Sequence, residues 1–135
     1  MKQYREIVPS DYFIQQLKCR CNICNLEFYD YTPLNYELVC FIDESDIKYF
    51  LPTYGEYGYL DLLEKLVEDW EKDKEITYKV VKKFEEKFKK ITPCPVSLFK
   101  KTKCPACLNE DVFVIQRESL KNYPVNWIKI DPENL

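Results

Sequence analysis

Two cysteine pairs constrain this chain more than any other feature: Cys21/Cys24 and Cys104/Cys107, each spaced C-x-x-C. A C-x-x-C turn lets both sulfurs face one ion while the intervening amides point at them. Two such turns supply four thiolates, enough to close a tetrahedral site. One ion held this way ties residue 21 to residue 107, so the fold has to bring those distant segments together. Zinc suits the set because it is a borderline-soft ion with no geometric demand beyond four donors. Iron is the alternative in a four-thiolate site. Cys19 stands two residues before Cys21 and is an alternative ligand to it, whereas Cys40 and Cys94 are expected in the core.

Composition narrows the chemistry. Seven cysteines is an odd number, which fits reduced thiols better than a disulfide framework. The chain has no histidine. That removes the commonest general base, the Ser/His and Cys/His nucleophile pairs, and every histidine-containing metal site. Four sulfurs on one ion also leave no open position for water, so the metal is expected to be structural and the protein not to be an enzyme. A redox or other His-free enzyme is the lesser alternative. Cys104 and Cys107 precede a predicted strand and do not open a helix, unlike a thioredoxin-type pair. The N-terminal residues Met1–Ile7 carry no apolar run of the kind that follows a secretory n-region, and no segment has the roughly 18 apolar residues a membrane helix needs. A cytoplasmic, membrane-free protein is the expectation.

The hydrophobic pattern predicts one domain over residues 1–135, at a length that supports a real core. Residues 11–18 read as a helical turn or a strand leading into the first knuckle. Leu26–Tyr31 and Tyr36–Ile42 are rich in aromatic and aliphatic residues and are separated by Thr32-Pro-Leu-Asn35, which predicts a hairpin leaving the knuckle. Ile47–Leu51 is a candidate third strand. Leu60, Leu63, Leu66, Val67 and Trp70 recur at helical spacing, as do Val81, Phe84, Phe88 and Ile91. Asp61/Lys65, Glu68/Lys72, Glu85/Lys89 and Glu86/Lys90 are i,i+4 pairs on those helices. Thr77 is the expected cap of the second helix and Thr92-Pro93 its stop, and the short charged link 71–76 predicts an antiparallel helical hairpin. Val112–Arg117 and Val125–Ile130 read as strands.

Knuckles on predicted strands at both ends of the chain resemble the zinc-ribbon group of folds, over residues 19–31 and 102–117. The fold class implied is α+β: a split zinc-ribbon-like antiparallel sheet, with knuckle and β elements at 19–51 and 102–130 and an inserted helical hairpin at 58–92. The resemblance implies a metal site on Cys21, Cys24, Cys104 and Cys107. It implies no one function, since ribbons serve nucleic-acid binding, protein contacts and stapling. The chain departs from the pattern in the 79 residues between Cys24 and Cys104, and in having Asn25 and Leu108 where knuckles often carry Gly. Leu tolerates the left-handed conformation poorly, which predicts a different turn at the second knuckle.

Charge is unevenly spread. Residues 1–78 carry 8 Lys+Arg against 16 Asp+Glu, and residues 79–135 carry 12 against 7. Lys82, Lys83, Lys87, Lys90, Lys100, Lys101 and Lys103 are therefore candidates for an anionic, nucleic-acid partner, or simply the basic side of a helix packed beside an acidic one. Lys18 and Arg20, with lysines 100, 101 and 103, flank the knuckles and are expected to neutralise a formally −2 four-thiolate centre. Residues 50–60 hold both glycines of the chain, with Tyr54, Glu56, Tyr57 and Tyr59 around them: a structural turn or a protein-recognition loop. The sequence favours a small non-catalytic zinc-stabilised protein-interaction module, for instance an inhibitor or immunity-type protein binding a basic partner. The alternative is a nucleic-acid-binding zinc ribbon. No small-molecule substrate is implied.

Overall fold

A computed structural model describes residues 3–68, 70 and 75–135. The elements are β1 (Arg5–Glu6), β2 (Phe13–Cys21), β3 (Glu27–Pro33), β4 (Leu38–Asp43), β5 (Lys48–Pro52), α1 (Tyr59–Leu66), α2 (Tyr78–Phe88), β6 (Val96–Leu98), β7 (Val112–Lys121) and β8 (Lys129–Ile130), then a 3-10 turn at Pro132–Asn134. The fold is α+β with antiparallel sheets, as the sequence predicts. Among the described residues, no helix is long and apolar enough to cross a membrane.

Two three-stranded sheets carry the architecture. The ribbon sheet has the order β3-β2-β7 and the central sheet the order β5-β4-β6, while β1 and β8 form a separate two-stranded ladder. Side chains alternate across the central sheet, as the period of two demands. Phe41 and Leu51 point into one core with Tyr59, Leu62, Leu63 and Leu66 of α1 and Phe84 and Phe88 of α2. Leu38, Cys40 and Phe50 belong to a second core with Ile14 of β2 and Trp127. The central sheet is therefore buried on both faces, between the helices and the ribbon.

A polar clasp joins the two sheets. Lys48 of β5 donates from Nζ to Asp30 Oδ1 of β3 at 2.5 Å and to the Tyr31 carbonyl at 2.9 Å. Its ammonium also lies 3.8 Å from the centre of the Phe99 ring. Thr102 Oγ1 donates to the other Asp30 oxygen at 2.5 Å. A carboxylate and an ammonium this withdrawn from water hold only because each is paired and hydrogen-bonded.

Three strand predictions need correction. Residues 26–31 and 36–42 do not pair with each other. β3 folds back on β2 across the first knuckle, in a register running from Ile14↔Pro33 to Arg20↔Glu27. The knuckle is the tightest turn available, and an antiparallel hairpin closes across the shortest connection. Thr32 and Pro33 still belong to β3, and residues 34–37 carry the chain into the central sheet, where β4 pairs with β5 and β6. Residues 36–51 thus belong to a second sheet, and the insertion between the knuckles is larger than a helical hairpin. Only Lys129–Ile130 of the predicted strand 125–130 is strand, paired with Arg5–Glu6, with one isolated parallel bridge from Trp127 to Phe50.

The helix signals hold better. Thr77 Oγ1 accepts the Val80 amide at 3.3 Å, capping α2, and Asp61 and Lys65 pair at 2.9 Å on α1. Glu85 departs from its expected role by taking the Leu98 amide of β6 at 3.2 Å, which docks the helix on the central sheet. The expected Glu68/Lys72 pair and most of the link 71–76 lie outside the described residues.

Candidate metal centre

Each knuckle is built by the same local bonds. In the first, the Asn25 amide donates to the Cys21 carbonyl and the Cys21 amide to the Leu26 carbonyl, both at 2.9 Å. In the second, the Leu108 amide donates to the Cys104 carbonyl and the Cys104 amide to the Asn109 carbonyl, also at 2.9 Å. Asn25 has φ 63° and Leu108 φ 62°. The expectation of a different second turn is therefore wrong. Leu108 is forced into the left-handed region because the turn geometry, not the residue's own preference, is fixed by the two flanking hydrogen bonds. A non-glycine residue there costs on the order of 1–2 kcal/mol.

The two turns meet. The Sγ atoms of Cys21 and Cys107 lie 3.5 Å apart, as do those of Cys24 and Cys104. All four sulfurs fall within 4.8 Å of one another, an arrangement that can hold a metal ion. Cys21 and Cys104 are buried, and Cys24 and Cys107 are exposed. Backbone amides point at the buried pair: Ile23 and Cys24 donate to the Cys21 sulfur at 3.4 and 3.5 Å. The Cys107 and Ala106 amides do the same for Cys104, holding its thiol down to about 7. The Cys24 amide, helped by Ile23, pulls Cys21 down likewise. Cys107 is driven the other way, to about 12: the Asn109 amide favours its thiolate, but the neighbouring Cys21 sulfur, burial and the other two sulfurs outweigh it. Four sulfurs this close cannot all ionise alone; a cation resolves the conflict by releasing the shared protons.

A cross-link between the knuckles had no sequence signal. Asn22 donates from its amide to the Asp111 carbonyl and from Nδ2 to Asp111 Oδ1, both at 2.9 Å. Asn and Asp this far apart pair only once the fold exists. Cys19 lies outside the sulfur cluster; it is buried beside Leu17, whose carbonyl its thiol faces at 3.8 Å, and burial raises it. The choice between Cys19 and Cys21 thus falls to Cys21. Cys40 is in the second core, and Cys94 is half-buried against the first.

The other predicted site residues separate. Lys82 of α2 and Lys100, Lys101 and Lys103 line one cleft of about 290 Å³, together with Glu85, Glu110 and Asp46. Lys83, Lys87 and Lys90 do not line it. In the tyrosine segment, Tyr54 and Glu56 are exposed, but Tyr59 is buried on α1 and is a core residue, not a contact residue. Its place at the first residue of an amphipathic helix decides this. Tyr57 is half-buried, with the Arg5 and Lys65 cations 5.4 and 4.8 Å from its ring centre. Comparison with protein families, curated proteins and solved structures returned no match.

Proposed function

We propose that this chain is a small zinc-stabilised module without catalysis that binds a protein partner through its knuckle tips. Zinc fits the donor set: four thiolates at about 2.3 Å from one ion stand roughly 3.8 Å apart, and the contacts here bracket that spacing. A closed sulfur tetrahedron polarises no substrate and activates no water, so the metal acts as a staple worth on the order of 10 kcal/mol of apparent folding free energy.

The observation that carries the protein reading is Leu108. It is 63 % exposed and sits in a strained left-handed conformation. The strain buys no burial within this chain. Ile23, between the cysteines of the other knuckle, is 60 % exposed. An apolar side chain held in a strained conformation, beside a second exposed one on the adjoining turn, supports a contact site at the tips. The test is affinity capture with and without nuclease, comparing the parent chain with Ile23→Ala and Leu108→Gly. One nuclease-resistant protein, lost with both variants while zinc content stays at one per chain, is the expected result. Capture unaffected by either variant would remove the proposal. Elemental analysis and the visible spectrum separate zinc from iron.

One observation favours a second reading, nucleic-acid binding. The fold gathers Lys82, Lys100, Lys101 and Lys103 around a single cleft beside the second knuckle. Phosphate contacts by those lysines would make binding fall steeply with salt.

A further inference from the structure

Strand alternation separates two cations from the sulfurs they were expected to neutralise. Lys18 and Arg20 of β2 lie two residues apart and so share one face of the ribbon, whereas Cys19 and Cys21 point to the other. The register brings Tyr29 of β3 and Gln116 of β7 opposite Lys18, and Glu27 and Phe113 opposite Arg20. Directly opposed residues share a face. That face therefore displays a central line of two cations flanked by an aromatic ring on either side.

Both rings are open to solvent, Tyr29 at 58 % and Phe113 at 53 % exposure. Arg20 holds its guanidinium 6.0 Å from the centre of the Phe113 ring. The rings stand one strand to each side of β2 and two residues apart along it, a separation of about 12 Å from sheet dimensions. One planar ligand cannot cover both, but two successive units of a chain can. The two cations are accompanied by two carboxylates, Glu27 and Glu118, the latter lining one small cleft with Lys18, Tyr29 and Gln116, so the exposed rings carry more of the recognition than net charge does.

We propose that this ribbon face binds single-stranded nucleic acid, with Tyr29 and Phe113 stacking on two bases and Lys18 and Arg20 contacting the phosphates between them. Flat π-faces take any base, and the cations track the backbone, so the site is one of strand type more than of sequence. A duplex hides its base faces and offers such rings nothing. The inference is independent of the lysine cleft above, since it uses a different surface and different contacts.

The test is fluorescence anisotropy of the zinc-loaded protein with a labelled oligothymidylate and a duplex of equal length. Tyr29→Ala and Phe113→Ala each remove an exposed ring, and zinc stoichiometry checks that the fold survives. Each should weaken single-strand binding roughly 5- to 150-fold, while Tyr29→Phe retains it. Two phosphate contacts imply a salt slope of about −1.4 on a log–log plot. Binding that survives both ring removals but is lost in the Lys100/Lys101/Lys103→Glu triple overturns this proposal and leaves the cleft reading standing. Absence of binding to either probe at low salt overturns both. Equal affinity for the duplex, or loss of a nuclease-resistant protein partner with Tyr29→Ala, overturns it in favour of another occupant.

Discussion

Leu108 is where residue preference and local structure disagree most. Its φ of 62° suits glycine, and its side chain is largely in water. Leu108→Gly should relieve the strain at small packing loss and stabilise the fold by about 1 kcal/mol, net of the greater freedom glycine has when unfolded. A rise of a few degrees in melting temperature checks this; a fall would mean the side chain packs. Tyr59 tests burial in the opposite sense. Its hydroxyl is buried without a hydrogen-bond partner among the described residues, and burial, helped by Glu85, lifts the phenol to about 12. The unfolded phenol ionises near 10. Stability from the neutral folded phenol is thus complete below about pH 10 and is lost as pH rises toward 12, by roughly 2–3 kcal/mol. Tyr59→Phe should match or exceed the parent at pH 8, by up to about 1 kcal/mol, and exceed it clearly at pH 11. Urea melts at the two pH values measure the gap; a gap that does not widen refutes it.

At the scale of elements, the turn before α1 shows how two glycines can be required for different reasons. Gly55 has φ 89° and open space around it, so the backbone alone selects it. Gly58 caps α1 in an extended conformation, but an added Cβ would stand 2.6 Å from the Tyr54 carbonyl oxygen and 2.9 Å from its carbon. Those are backbone atoms that cannot rotate away. Gly58→Ala should cost about 1–3 kcal/mol through overpacking and loosen the start of α1. Amide exchange at Leu62, whose N–H donates to the Gly58 carbonyl at 2.9 Å, reports it directly. Unchanged protection there would show that the loop yields. The same segment was legible only in part beforehand: glycines and tyrosines mark a turn, but the burial of Tyr59 depends on where the helix begins.

For the whole molecule, the described residues form two cores that differ in how closely they connect to the sulfur cluster. The helical core, around Phe41, Phe84 and Phe88, packs without any residue of the ribbon sheet. The second core includes Ile14 of β2, and β2 and β7 run directly out of the sulfur cluster. Cys104→Ser should therefore lose the metal and strip exchange protection from β2, β3 and β7 first, with the α1 and α2 amides outlasting them. Cys94→Ser touches no ligand and should leave both metal content and ribbon protection intact. Elemental analysis with residue-resolved exchange decides; equal damage from the two changes would mean the metal is not the staple.

From the sequence alone, C-x-x-C spacing marked both knuckles, because it is a local property of a turn, whereas the choice of Cys21 over Cys19 waited for the sulfurs to be brought together. The sequence also determined the helical faces and the Thr77 cap, whose periods and caps are fixed within a few residues. It did not determine strand partners. β2 takes β3 and β7 as neighbours, and β4 takes β5 and β6, because burying the central sheet on both faces selects those pairings; no window of sequence contains that requirement. The gathering of Lys82 with lysines 100, 101 and 103, the bond from Asn22 to Asp111 and the face shared by Tyr29 and Phe113 were decided in the same way. Each joins residues distant in the chain, and only packed tertiary structure fixes such a distance.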